Sequence, residues 1–599
     1  MTPAFRHALV WALASSLMIV AALSSITSAY FHGHYVPDNA DAFYHARRIL
    51  DAVINHASVI QFDPKMHVPE GSWISWPWGY DQLMATITGW FGPFENSDAA
   101  FRVLANIPPL ACAIATLLVV VIARQLGLGL VYTAVLAFSF ALLPAAFRAF
   151  SVGNVDHHFA EYIWTLAMIS AGLRFFREGE DSLLPGIVLG GLLGFGLAIQ
   201  TSLVILQAPI CAALALRWLR GESLPARRRM VAFALALLFA SLGACWPAET
   251  WRHGLFEFYT LSWFHLYVSA VVAVFTILLA TLSRSTRNTT AILVLALVAV
   301  APVAKMLLEA ATFVSGNLDL IADVSEAQSP YRLFFDKSDD QSTRSMSYLL
   351  LLMAPMTLLN VWWAWKMRDA TLQFIAIVCA WGLVMFQLQF RFCTYGVLPM
   401  LLTPLLAAQV YAADHPHWRR WLPGGLLVVY ALAFVPTAQN WKTTIALGDN
   451  LAYPNLGTIW PRLGELCATR PGVVLSNVDA GHWVRYHTGC SVIANVFLLT
   501  PQHAAKIQEN AHLLAMTPAQ LLAARRDIDY VLAFQTVTIR NDASGNEVPN
   551  LESLRADLDP LERDLLGPED AIPKEFGKKW EVRSPQGQVY ARLYAIERR

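Results

Sequence analysis

Charge is what this sequence has least of. Only 14% of its 599 residues are Asp, Glu, Lys or Arg, against roughly 25% in an ordinary soluble domain. That scarcity excludes a wholly soluble chain and points to lipid as the surrounding medium. Cysteine is also sparse: the seven present form no metal-ligand spacing, so no zinc-ribbon or finger motif is available. Cys112, Cys211, Cys245, Cys379 and Cys393 fall in or beside apolar runs and are expected to serve as small packing residues. No internal repeat or low-complexity tract stands out. A small-residue cleavage site is missing after the first apolar run, about 7–29, so that run is expected to stay as a membrane span. The formal net charge of zero says little by itself, because the charges segregate along the chain. Nucleic acid is not an expected partner; membrane lipid is.

What the chain has in abundance is apolar length. From residue 1 to about 440 it is a near-continuous series of stretches of roughly 20 residues, enough to cross a bilayer. About thirteen spans are expected: 7–29, 103–123, 128–148, 159–176, 184–200, 202–217, 230–247, 265–283, 289–308, 346–365, 371–387, 393–412 and 422–437. The fold class is therefore a polytopic α-helical membrane protein over 1–440. A mixed α/β soluble domain follows over 441–599, where short strand-like runs alternate with helical segments.

Lys and Arg choose the orientation. With the N-terminus in the cytosol, Arg124, Arg174, Arg177, Arg217, Arg220, Arg227, Arg228, Arg229, Arg284, Arg287, Lys366, Arg368, Arg419 and Arg420 all fall on the cytosolic side. Segments 30–102, 149–158, 309–345 and everything after about 438 then face outward. The expected location is a plasma membrane, specifically a bacterial inner membrane, with the C-terminal domain and any active site extracytoplasmic. A site there has no access to cytosolic nucleotide-activated substrates, so its donor is expected to be lipid-linked.

Three acidic stations share that outer face. Asp41 lies in DAFYHARR, Asp156 in GNVDHHFAE and Glu326 in DVSEAQSP, each just outside an apolar run. Ionisable groups beside spans are costly and tend to be functional. Oxygen ligands from separate segments can hold a hard cation such as Mg²⁺ or Mn²⁺, and His158, two residues after Asp156, can reach the same ion. Each station has an ordinary alternative: Asp41 as a helix cap, DHH as a polar membrane edge, Glu326 as a solvated loop residue. Asp38 and Glu161 lie nearby in the sequence, and the Trp-rich run MHVPEGSWISWPWGYDQL is either an interfacial aromatic belt or the wall of a pocket. Arg391, in QLQFRFCTYG, breaks the charge bias at the outer end of a span, where a guanidinium can snorkel or grip a phosphate.

Taken in order, these segments resemble the catalytic subunit of the oligosaccharyltransferases, membrane glycosyltransferases of the GT-C type. DAFYHARR resembles the family's first acidic motif, GNVDHH its second in an Asp-x-His form, and VSEAQ its Ser-x-x-Glu-type third motif. The resemblance implies an inverting transfer from a polyprenyl-(di)phosphate donor to a protein asparagine by a single-subunit enzyme. It implies that Asp41, Asp156 and His158 hold the metal, that Asp41 and Glu326 act in catalysis, and that Arg391 binds the donor diphosphate. The family's WWDYG motif is degenerate here. Within SNVDAGHWVRYHTG, Asp479 and Gly481 align, but Asn477 and Val478 stand at the tryptophan positions and Ala480 at the tyrosine. Asp479, Asn477 and His482 are the candidate acceptor-binding residues, and loss of the indole donors reopens the acceptor's identity. A lipid, polysaccharide or hydroxyl acceptor is the alternative; a transporter or an inactive scaffold is the non-enzymatic one. Cys467 and Cys490 flank this region in the domain expected to be external, where a disulfide is permitted.

Overall fold

The computed structural model describes residues 2–31, 33–179, 181–314, 328–331, 341–447, 456–535, 538–541, 547–550, 558–583 and 587–598. Among them, eight helices are long and apolar enough to cross a bilayer: Pro3–Ile26, Ser97–Gln125, Thr201–Arg220, Arg227–Cys245, Trp263–Thr281, Thr286–Glu309, Ala370–Leu388 and Phe390–Asp414. Shorter apolar helices lie at Leu130–Ala141, Leu184–Ile199 and Trp421–Phe434. This is the architecture of a multi-pass membrane protein. Every expected span overlaps a helix, but the count of thirteen does not carry over. The run at 128–148 breaks in two, Leu130–Ala141 and Pro144–Ala149, because Pro144 disfavours helix in the residue before it and lacks the N–H to continue one.

The helix Leu184–Ile199 packs against Arg227–Cys245 through a glycine stripe. A Cβ on Gly194 would lie 2.6 Å from the Leu237 carbonyl oxygen, and Cβ atoms on Gly186 and Gly190 would run into the carbonyls of Arg229 and Phe233. Small residues spaced by four let backbones approach within contact, which is how helices associate where lipid supplies no hydrophobic drive.

After the long helix Trp421–Leu447 the chain builds a five-stranded mixed sheet. Its order is Phe576–Arg583, Val589–Ile596, Ile528–Phe534, Val473–Ser476, Ser491–Val492. The first three strands pair antiparallel, with Tyr594 opposite Val531; the last pairings are parallel, with Leu475 opposite Val531 and Val474 opposite Val492. Helices Ile459–Thr469, Ala480–His487, Pro501–Leu514 and Pro518–Ala524 surround it, the last two opened by Thr500 and Thr517 capping boxes. The sheet's free edge is not left open. Val492 N–H donates to the Lys65 carbonyl and Val68 N–H to the Val492 carbonyl, so the segment 65–68 adds itself to the sheet.

That pairing is part of a shared core. Val36, Phe43, Tyr44, Met66, Ile74 and Trp76 from the N-terminal region are buried together with Trp460, Val474, Trp483, Val484 and Phe497 from the sheet region. The Ala480–His487 helix thereby rests on the helix Ala40–Asn55. The same helix also lies against the segment 494–495, where a Cβ on Gly481 would collide with the Ala494 carbonyl.

Candidate active site

Asp156 is set by its own loop. Gly153 adopts φ +77°, a left-handed conformation that glycine takes at no steric cost. A Cβ there would lie 2.7 Å from the Ala29 Cβ and 2.8 Å from the Val36 carbonyl. The loop therefore presses against the segment 29–38, where Asp38 N–H donates to the Gly153 carbonyl and Asn39 Nδ2 to Asn154 Oδ1. Tyr80 pins the following residues by donating to the Val155 carbonyl at 2.6 Å. The result is a carboxylate buried at the start of the helix His158–Phe175.

Three imidazoles close around it. Asp156 Oδ1 accepts from the His157 backbone N–H and lies 2.6 Å from His157 Nδ1 and 3.3 Å from His45 Nε2. Its other oxygen, Oδ2, lies 3.4 Å from His158 Nε2. Each flanking imidazole is held from behind. His45 Nδ1 donates to Asp81 Oδ1 at 2.6 Å, and Arg48 Nη1 sits 2.5 Å from Asp81 Oδ2, with all three side chains buried. His158 Nδ1 donates to Glu161 Oε2 at 2.9 Å, and Ser202 donates to Glu161 Oε1. Gln200 Nε2 meets His157 Nε2 at 2.5 Å. Trp76 stacks on His45 with ring centroids 3.9 Å apart, so this tryptophan of the Trp-rich loop walls the site instead of lying in a membrane belt.

The electrostatics agree with the geometry. Burial opposes charge on Asp156, but the charges and hydrogen bonds of His158, His157 and His45 hold its carboxyl well below the usual range. For His45, burial pulls the pKa down, yet Asp81 and then Asp156 outweigh it and raise the imidazole to about 9. The ligand atoms of His45, Asp156 and His157 lie within 4.8 Å of one another, as do those of His157, His158 and Glu161. Mixed imidazole and carboxylate groups this close suit a divalent cation.

The other candidate residues fall into place unevenly. Asn39, not Asp41, caps the Ala40–Asn55 helix by accepting from Ala42 N–H at 2.8 Å. Asp41 stands in the first turn, one turn before His45, and lies in neither ligand grouping. Its Oδ1 is 3.8 Å from His482 Nδ1. Glu326 lies outside the described residues. Two residues on, Gln328 accepts through its carbonyl from Phe390 N–H at 2.9 Å, next to the half-buried Arg391. A polar chain connects that corner to the centre: Tyr395 OH is 3.2 Å from Ser202 Oγ, which in turn bonds Glu161 beneath His158.

Asn477 accepts from Asp479 N–H at a turn between strand and helix, and the Asp479 side chain is exposed. The neighbouring protein raises its carboxyl pKa by desolvation. His482 does not join them. It is fully buried, donates from Nδ1 to the Ala40 carbonyl at 3.0 Å and stacks on Tyr44, so it braces the Asp41 turn and has no surface for an acceptor. Cys467 and Cys490 are joined, with Cα atoms 5.4 Å apart. Sequence reasoning missed His45, Asp81, Arg48 and Gln200. His45 alone carried a signal, falling four residues after Asp41 on the same helix face.

No protein-family model matches the chain, and no curated protein matches it significantly. Solved structures do. The apo crystal structure of the Archaeoglobus fulgidus oligosaccharyltransferase superposes with TM-score 0.74 at 16% identity, covering 97% of this chain and 80% of that one. The same archaeal enzyme with an inhibitory peptide and a dolichol-phosphate gives 0.72 at 15% identity over 97% and 80%. Its complex with zinc and sulfate gives 0.70 at 15% over 96% and 79%. The mycobacterial arabinofuranosyltransferase AftD gives 0.50 at 12%, covering 98% of this chain and 41% of that one. The fold is thus an oligosaccharyltransferase-like GT-C fold.

Proposed function

We propose that the chain is a glycosyltransferase of the oligosaccharyltransferase type, moving a glycan from a polyprenyl-(di)phosphate donor to an acceptor outside the membrane. The observation that carries this reading is the buried Asp156 among three imidazoles, tied through Glu161, Ser202 and Tyr395 to the segment that bears Arg391. The archaeal enzyme of like fold is known with a dolichol-phosphate and an inhibitory peptide, and with zinc and sulfate, in keeping with such a donor and a metal.

In this reading Asp41, Asp156 and His158 hold a Mg²⁺ or Mn²⁺ ion, and Glu326 completes the site. The ion supplies charge neutralisation for a departing diphosphate. Arg391 would offer its guanidinium to the departing diphosphate. Asp41 and Glu326 orient the acceptor nucleophile, and the Tyr80, Gly153 and Asp81 contacts keep Asp156 fixed while charge moves, so little reorganisation is needed at the reacting centre. His482 positions the Asp41 turn from the neighbouring helix. The domains divide as 1–440 and 441–599, in a bacterial inner membrane with the second domain outside, acting as a single subunit.

The acceptor is most simply a protein asparagine met by Asp479 and Asn477. A second reading rests on the residues at the degenerate motif: Asn477 and Val478 present no indole N–H. A carbohydrate, lipid or other hydroxyl acceptor then takes the asparagine's place.

The test is mass spectrometry of exported proteins and glycolipids from cells with the wild-type chain or with Asp41→Ala, Asp156→Ala or Glu326→Ala. Glycosylated asparagine lost in each variant supports the first reading, and a lost glycolipid or polysaccharide supports the second. Full transfer in all three variants overturns the assignment of the site.

A further inference from the structure

His45 and His158 approach Asp156 in the same manner, each at a different carboxylate oxygen. Each presents Nε2 to one carboxylate oxygen, at 3.3 and 3.4 Å, and each has Nδ1 hydrogen-bonded to a second carboxylate, Asp81 and Glu161 respectively. A carboxylate behind Nδ1 fixes the tautomer that leaves Nε2 for a metal and orients the ring toward it. Asp81 is itself anchored by the buried Arg48. Trp76 stacked on one face and Tyr80 edge-on at 5.3 Å leave the His45 ring little freedom. His157 differs, because its Nδ1 is directed at Asp156 Oδ1 and its Nε2 at Gln200.

We propose that His45 is a metal ligand through Nε2, with Asp81 and Arg48 as its supporting pair, so that the cation centre of this chain takes nitrogen from two helices. The proposal rests on the metal reading above and deepens it. One imidazole and several carboxylates would suit a hard ion such as Mg²⁺, whereas a second imidazole shifts preference toward borderline transition ions such as Mn²⁺, Co²⁺ and Zn²⁺. His45 lies where no Asp-x-His spacing would find it, one helical turn beyond Asp41.

The experiment is metal binding by the full-length chain in detergent, read without glycan transfer. Co²⁺ titration followed by visible absorption should give an affinity that falls at least tenfold in His45→Gln. In Asp81→Asn it should fall by roughly 10- to 100-fold, the usual effect of losing a supporting partner. Mg²⁺ should compete poorly in the wild type and better in His45→Gln. Pulsed EPR of the Mn²⁺-loaded wild-type protein keeps the proposal falsifiable if a variant misfolds, with at least two coupled imidazole nitrogens expected. Unchanged or tighter Co²⁺ binding in His45→Gln overturns it, as does a single coupled nitrogen, since a His45 that merely neutralises Asp156 would compete with the ion. Those results leave the general metal reading intact; failure of the wild type to bind Mn²⁺ or Co²⁺ removes both.

Discussion

Asp63 and Arg485, 422 residues apart in the sequence, form a buried ion pair with Arg485 Nη2 3.0 Å from Asp63 Oδ2. Tyr44 donates to the same oxygen at 2.9 Å, and Arg485 Nη1 donates to the Cys490 carbonyl. The pair locks the Ala480–His487 helix onto the region that carries Asp41 and His45. Breaking one side leaves a buried unpaired charge, at a cost of about 3–5 kcal/mol. Asp63→Ala should therefore lower the thermal midpoint and make the chain after residue 447 more susceptible to limited proteolysis. The double variant Asp63→Leu/Arg485→Met should recover much of that loss, because a buried pair's attraction is largely offset by desolvation.

The disulfide Cys467–Cys490 closes a loop over a sequence separation of 23 residues and ties the helix Ile459–Thr469 to the end of the segment that carries Asp479. A closed loop of that length is worth about 3 kcal/mol of chain entropy in the unfolded state. Cys467→Ser/Cys490→Ser should lose about that much stability in chemical denaturation. Metal binding at Asp156 should not change, since neither cysteine touches the centre.

The membrane-length helices were readable from composition, because apolar runs of that length follow from lipid as solvent. The strands Val473–Ser476, Ile528–Phe534 and Val589–Ile596 also announced themselves as short apolar runs. The strand Phe576–Arg583 did not, since its half-exposed residues, among them Lys578, Lys579 and Glu581, mark an edge with no apolar alternation. The sequence reading grouped His482 with the acceptor residues by proximity to Asp479. Helical geometry turns that ring inward, and no motif alignment encodes a side chain's direction. His45 and Asp81 became visible only when the fold joined two stretches read separately, an aromatic-basic helix and a tryptophan-rich loop.

The glycine stripe gives a prediction with its own control. Gly190 faces the Phe233 carbonyl, whereas its neighbour Gly191 has nothing within 4 Å of a Cβ position. Gly190→Leu should push the helices Leu184–Ile199 and Arg227–Cys245 apart and destabilise the protein by about 1–3 kcal/mol. Gly191→Leu should melt close to the wild type. Because Gln200 and Ser202 follow directly after the Leu184–Ile199 helix, Gly190→Leu should also weaken Co²⁺ binding, and Gly191→Leu should not.

Acid should loosen the contact between the first loop and the sheet, through His67. Its Nε2 lies 3.0 Å from Asn495 Oδ1, its Nδ1 is buried without a hydrogen-bond partner, and its ring packs 5.1 Å from that of His503. Burial pushes the imidazole down to about 4; Lys506 acts in the same direction, while the Asn495 hydrogen bond, Asp63 and Glu70 oppose it more weakly. The unfolded chain takes up a proton near pH 6.5 that folded His67 refuses until about pH 4. Unfolding therefore binds protons in that window, and stability falls as pH drops from 6.5 toward 4. At pH 5 the loss from this one group is about 2 kcal/mol. His503, pushed down to about 3 mainly by burial, adds in the same sense. Melting temperatures recorded between pH 8 and pH 5 should decline for the wild type and decline less steeply for His67→Asn. A wild-type profile that is flat, or that rises toward pH 5, would contradict the assignment of a neutral buried His67.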